Sequence, residues 1–166
     1  MADRESPADD ALRDMARQVL ADVRYLVLGT TEADGRSRVS PVYVTWDGPG
    51  DFYWVSSPEA THSRNVARRL DVSGVVFDSS QPPGRTAAVY LTATAREVPA
   101  DELPEQCARA FRRLSEGARP FAPEELSGSA DLRLYHGVVE RHEVHVRGSD
   151  PTYGRGVDTR LEVELG

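Results

Sequence analysis

Between Tyr25 and Val55 the chain passes through three short segments of strand-like residues, separated by two tight turn signals. The segments are Tyr25 to Thr31, Arg38 to Trp46 and Phe52 to Val55. The turns are Asp34-Gly35 and Asp47-Gly48-Pro49-Gly50, residue types that tolerate the positive backbone angles of a hairpin. A parallel pair needs a crossover of a dozen or more residues, and these connections are too short for one. The segments therefore predict an antiparallel meander, not alternating strand and helix units.

The remaining pattern extends that sheet. Val72 to Phe77, Thr86 to Val98, Leu132 to Tyr135, Val138 to Val146 and Val157 to Leu165 read as further strand material. Helices are few. Leu12, Met15, Val19 and Leu20 recur at helical spacing after a cap at Asp9 or Asp10. Ser57-Pro58-Glu59 predicts a second helix running to about Leu70, with Ser57 as its cap and Pro58 in the first turn. Asp101 to Leu114 predicts a third, carrying Leu103, Cys107, Phe111 and Leu114 on one face. Residues 116–130 read as loop, with room for a short helix at Pro123-Glu124-Glu125. The expectation is a mainly β fold of six or seven antiparallel strands, its edges buried by closure into a barrel. Residues 1–9 read as a flexible tail and 10–166 as one domain, a size that suits a single core.

Composition narrows the function classes. The net charge of -7, from 20 basic and 27 acidic residues, gives no concentrated basic surface for nucleic acid. A single cysteine, Cys107, excludes an intrachain disulfide and a cysteine metal cluster. No apolar run approaches a membrane span and the polar start does not resemble a signal peptide, so a cytoplasmic location is expected.

The chemistry-bearing stretch is FYWVSSPEATHSRN, Phe52 to Asn65. A strand runs into a helix start, where unpaired N–H groups and a partial positive charge favour a phosphate. Ser56, Ser57, Thr61, His62, Ser63 and Arg64 supply hydroxyl, imidazole and guanidinium donors around it. The same residues also read as an ordinary capped surface helix with Arg64, Arg68 and Arg69 facing water. His136, His142 and His145 have poor spacing for a metal site. Residues 136 and 142 share a face of a regular strand, and 145 takes the other. No metal is expected.

The order YLVLGTT, DGRSRVSPVYVTWDG, DFYWVSSPEATHSRNVARRLDVSGVVFD and AAVYLTATAREV resembles the pyridoxamine-phosphate-oxidase-like FMN-binding split barrels. The tail HEVHV…YGRGVDTRLEVEL is similar to the end of related members. The resemblance implies a Greek-key split β-barrel with peripheral helices, working as a homodimer that holds FMN between its subunits. It implies a phosphate site at Ser56, Thr61 and His62, with Ser63, Arg64 and Asn65 beside it. It also implies ring contacts from Arg38, Ser40, Pro41 and Val42. Many members carry Lys or Arg where His62 stands. Ala88 lies near a position that is polar in the classical oxidases, and their C-terminal substrate motif is not clear here, so a true pyridoxamine-phosphate oxidase is not expected. Gly154 to Asp158 and Arg160 are candidates to line the partner's site. The implied activity is hydride transfer to or from a small organic substrate, with catalytic residues unassigned. Two alternatives stay open: a reductase using the deazaflavin coenzyme F-420, and a non-catalytic flavin- or haem-binding sensor.

Overall fold

A computed structural model describes residues 7–82 and 84–166. Among them, eight strands form one curled antiparallel sheet with peripheral helices, a split-barrel arrangement. The strands are β1 (Tyr25–Thr31), β2 (Ser37–Tyr43), β3 (Thr45–Trp46), β4 (Asp51–Ser56), β5 (Asp71–Phe77), β6 (Ala88–Glu97), β7 (Arg133–Val146) and β8 (Thr159–Val163). Their order is β2-β1-β5-β6-β7-β4-β3, with β8 also paired to β7. The expected Arg38–Trp46 strand is broken in two, β2 and β3. The two expected pieces around Gly137 are one continuous strand, β7.

Continuity through Gly137 has a steric reason. A Cβ there would lie 2.1 Å from Phe52 Cζ, so only glycine lets the buried Phe52 ring pass beneath β7. Phe52 and Trp54 of β4 then stack in the barrel core, and Trp54 stacks in turn on Tyr135 of β7. Trp46 packs against Phe52. The tryptophans are therefore core residues of this chain.

The register between β6 and β7 shifts at Thr92/Ala93: Thr92 faces Arg141, but Ala93 faces Val139. This bulge absorbs Glu140 and reverses side-chain parity along β7. His136 is paired with Arg96 on the outer side of the sheet, whereas His142 is paired with Leu91 on the core side. The expectation that these two histidines share a face is thus corrected. A one-residue slip exchanges the faces of everything beyond it.

Helix α1 (Pro7–Asp22) lays Leu12, Ala16, Val19 and Leu20 on the core. It begins ahead of Asp9 and Asp10, so these stand in its first turn and not at a cap. Residues 1–6, most of the expected tail, lie outside the described residues. Helix α2 (Thr61–Arg68) packs against β1, β2 and β6. Helix α3 (Leu103–Ala110) is shorter than expected, ending at Phe111, and a single 3-10 turn occupies Pro123–Leu126. These last two cover the outer face of β4 and β7. There a second apolar cluster joins Tyr53, Leu103, Cys107, Leu126 and Leu134.

Candidate functional site

Helix α2 starts three residues later than the sequence predicts. Ser57 does not cap it; its Oγ accepts from the Glu59 N–H at 3.2 Å, and the Ala60 N–H donates to the Ser57 carbonyl at 3.1 Å. Ser57 to Ala60 thus form a turn, as expected of a serine followed by proline. The cap is Ala60, in extended conformation and with no side-chain cap bond. The first helical bond runs from the Arg64 N–H to the Ala60 carbonyl at 3.0 Å. The N–H groups of Thr61, His62 and Ser63 therefore precede the first available helical acceptor. No side chain caps them.

Side chains complete this junction. Ser56, the last residue of β4, hydrogen-bonds through its Oγ to His62 Nε2 at 2.9 Å. Burial holds the His62 imidazole below the usual histidine range. The ring is therefore neutral at pH 7 and presents one donor and one acceptor. Ser63 is buried, and its Oγ makes no hydrogen bond of sound geometry. Burial raises the pKa of the Tyr135 phenol, and the nearby Ser63 hydroxyl pulls it the other way. Thr61 and Arg64 are exposed, with Arg64 paired to Glu59 at 2.5 Å.

Asn65 has a different place from the others. It is buried, and its Nδ2 donates to Thr30 Oγ1 of β1 at 3.0 Å. Thr30 stands opposite Arg38 in the β1–β2 register. The Asn65–Thr30 bond therefore fixes the helix start relative to β2, and so joins the two halves of the predicted site. On β2, Arg38, Ser40 and Val42 share one face and Pro41 the other. Arg38 is half-exposed and paired with Glu32. Ser40 is partly buried, and Val42 enters the core. Pro41 is exposed on β2, an end strand of the sheet, where its missing N–H breaks no ladder. Ala88 lies buried opposite Phe77 at the start of β6. Gly154 to Asp158 belong to a loop closed by Asp158 Oδ1, which accepts from the Gly148 N–H at 2.9 Å.

The electrostatics are nearly balanced. Arg64 at the junction and Arg38 on β2 already hold carboxylates, and the exposed Arg64–Glu59 pair is weak, so an incoming anion can take that guanidinium group.

Sequence reasoning missed a cavity on the face of β4 that α3 and the segment after it cover. It has a volume of about 500 Å³ and lies against Tyr43, Tyr53 and Val55, covered by Phe111, Leu114 and Phe121. Tyr43 and Ser115 share a 2.5 Å hydrogen bond at its wall. Phe111 and Leu114 were read as helix-face residues. The signal against that reading was the Gly, Pro and Ser content that begins immediately afterwards. A polar network braces the region from below. Arg109 of α3 bonds Asp47 at 2.7 Å and approaches Asp51 at 3.3 Å, and Asp51 meets His136 at 2.5 Å. His136 stacks on Tyr53, whose phenol burial pushes up to about 12. Among the described residues, no group of three or more acidic, histidine or cysteine side chains could hold a metal, and no helix is long and apolar enough to cross a membrane.

Known proteins locate this architecture. No curated protein matches the chain in sequence. Among solved structures, the haem-binding protein from Mycobacterium smegmatis superposes with a TM-score of 0.65 at 20% identity, covering 96% of this chain and 59% of that one. This chain thus spans less than two thirds of that protein. A Clostridium acetobutylicum protein related to general stress protein 26, of the pyridoxinephosphate oxidase family, gives 0.63 at 10% identity over 93% of this chain and 96% of its own. The haem storage protein HutZ from Vibrio cholerae gives 0.61 at 23% identity over 78% and 90%. At such identities these likenesses concern the fold. The profile described as pyridoxamine 5'-phosphate oxidase matches residues 12–143, from α1 through the histidine-bearing part of β7, and the chain therefore belongs to the pyridoxamine 5'-phosphate oxidase-like split-barrel family.

Proposed function

We propose that the chain binds FMN, with the phosphate at the β4–α2 junction, and acts as an oxidoreductase on a small organic substrate. The carrying observation is the junction itself: the helix-start N–H groups of Thr61, His62 and Ser63 have no side-chain cap, and the hydrogen-bonded Ser56–His62 pair ties the helix start to the end of β4. Such a cluster of donors suits phosphate oxygens. FMN, when bound, supplies hydride chemistry at its ring N5.

The chain's own residues then bind and orient. His62 donates one hydrogen bond to a phosphate oxygen, and a phosphate beside it favours the charged form of the ring. Arg64 exchanges Glu59 for the phosphate, and Arg38 can leave Glu32 in the same way. Asn65 takes no direct part and works as a positioning residue through Thr30. The strand β2 offers backbone and Ser40 to the ring. No protein acid or base is assigned. A second copy of the chain completes the site in this reading, through a twofold interface in which the exposed outer residues Tyr25 and Val39 of β1 and β2 take part.

The test is titration of the cofactor-stripped protein with FMN, the deazaflavin and haem, followed by absorption and by sedimentation. FMN binding at one per chain in a dimer, followed by bleaching with a nicotinamide donor, is the expected result. Preference for the deazaflavin or for haem, or binding without reduction, replaces this reading by the corresponding alternative.

A further inference from the structure

A second pocket lies apart from the β4–α2 junction, between α1, β3 and the segment that follows α3, and meets the first cavity only at a wall of Tyr43 and Thr45. Its volume is about 330 Å³, and Leu20, Val23 and Trp46 form much of its apolar wall. Three arginines also line it, Arg17, Arg24 and Arg113, and among the described residues no carboxylate does. In a chain whose net charge is -7, that is a local inversion of sign.

The neighbouring acids do not cancel it. Asp47 is the acidic residue in electrostatic reach of Arg113, but its carboxylate is already divided between Arg109 at 2.7 Å and Arg112 at 3.1 Å. Arg24, just beyond the end of α1, donates to the Ala21 carbonyl. Arg17 has one long contact, 3.4 Å, to the exposed Asp14, and donates its other arm to the Leu165 carbonyl. Arginines lining a pocket with an apolar wall match a ligand with a carboxylate at one end and an apolar body at the other. A volume near the lower end of the usual pocket range, about 300 to 1,000 Å³, limits that body to a ring system or short chain.

We infer that this pocket is a binding site for a small amphipathic carboxylate, separate from the proposed FMN site. The arginines take the carboxylate, and Leu20, Val23 and Trp46 take the apolar body. The inference goes beyond the flavin reading and does not depend on it.

The probe is 2-naphthoate, with neutral 2-naphthalenemethanol as its control. Binding to the full chain is read by calorimetry and by fluorescence from Trp46, with Trp54 as a buried reference. The naphthoate is expected to bind in the micromolar to millimolar range, at least about tenfold more tightly than the alcohol. Arg24→Gln and Arg113→Gln are each expected to weaken naphthoate about tenfold and leave the alcohol unchanged. Both arginines are exposed, so unaltered melting behaviour verifies that the variants fold. Saturation with FMN, and the variant Thr61→Val, should not change naphthoate affinity. Equal affinity for acid and alcohol, indifference to both Arg→Gln changes, or no binding of naphthoate at millimolar concentration overturns the inference. Competition with FMN also overturns it, by placing the probe in the flavin site.

Discussion

The bond between Asn65 and Thr30 offers a sharp perturbation, because it ties the helix start to the strand pair on which the proposed site depends. Its length is 3.0 Å, and the two residues are only 2% and 5% exposed. Asn65→Ala removes the donor and leaves the Thr30 hydroxyl buried without it. Such a loss costs about 1–3 kcal/mol, since the stranded group keeps its desolvation penalty. Thr30→Val strands the Asn65 amide instead and should cost a similar amount. Removing both partners costs less than the sum, because no polar group is left alone, and the cycle should return a coupling of about 1 kcal/mol. The assay is urea unfolding of the wild type, both single variants and the double variant, each also titrated with FMN. Stability should fall in both singles, and FMN affinity should fall with it as the Thr61–Ser63 N–H groups lose their fixed position relative to β2. An Asn65→Ala variant within about 0.5 kcal/mol of wild type, or strictly additive costs, would refute the reasoning.

Other perturbations follow from the same geometry. Gly137→Ala drives a Cβ into the Phe52 ring, which is boxed in by Trp46 and Trp54, and should cost about 3 kcal/mol in denaturant unfolding. Phe52→Leu in the same chain should recover part of that loss. Burial depresses the pKa values of His62 and His142 in the folded state, so below the unfolded value of 6.5 the unfolded chain binds more protons. Their contribution to stability is therefore present above that pH and is lost as pH falls through it towards the folded values. His62→Gln combined with His142→Gln should flatten the stability profile between neutral and mildly acid pH, and an unchanged slope would contradict the assignment. Glu59→Gln frees Arg64 from a weak exposed pair and should tighten FMN about threefold, whereas weaker binding would remove Arg64 from the phosphate site.

Much of the fold was legible because its signals are local. Alternation, Asp-Gly turns and short connections fix neighbouring antiparallel strands without reference to the rest of the chain. The Ser57-Pro58 signal was equally local but ambiguous, since a serine oxygen that caps a helix can also close a turn. Gly137 read as a gap between strands. Its purpose, space for a ring placed 85 positions earlier in the chain, depends on a register that no single segment reveals. The bulge at Glu140 depends on the separate pairing of β7 with β6, so the faces taken by the three histidines were out of reach. At the site, Ser56, His62 and the helix start were visible as residue types. The commitment of Asn65 to Thr30, and of Arg38 and Arg64 to carboxylates, was not, because those partners are chosen by tertiary placement. The cavity under Phe111 and Phe121 was hidden for a similar reason: it lies between segments that are distant in sequence.

The central claim, a phosphate cradle at the β4–α2 junction, is tested most directly by the ratio of FMN to riboflavin affinity, measured by calorimetry on one preparation. The two ligands share a ring and differ by the phosphate. The account predicts that FMN binds at least about a hundredfold more tightly, two or more charge-assisted bonds at about 1.5 kcal/mol each, and that Thr61→Val with Ser63→Ala narrows the ratio by weakening FMN alone. Equal affinity for the two ligands, or a ratio indifferent to those substitutions, would contradict it and return Ser56 to Asn65 to the role of a surface helix start.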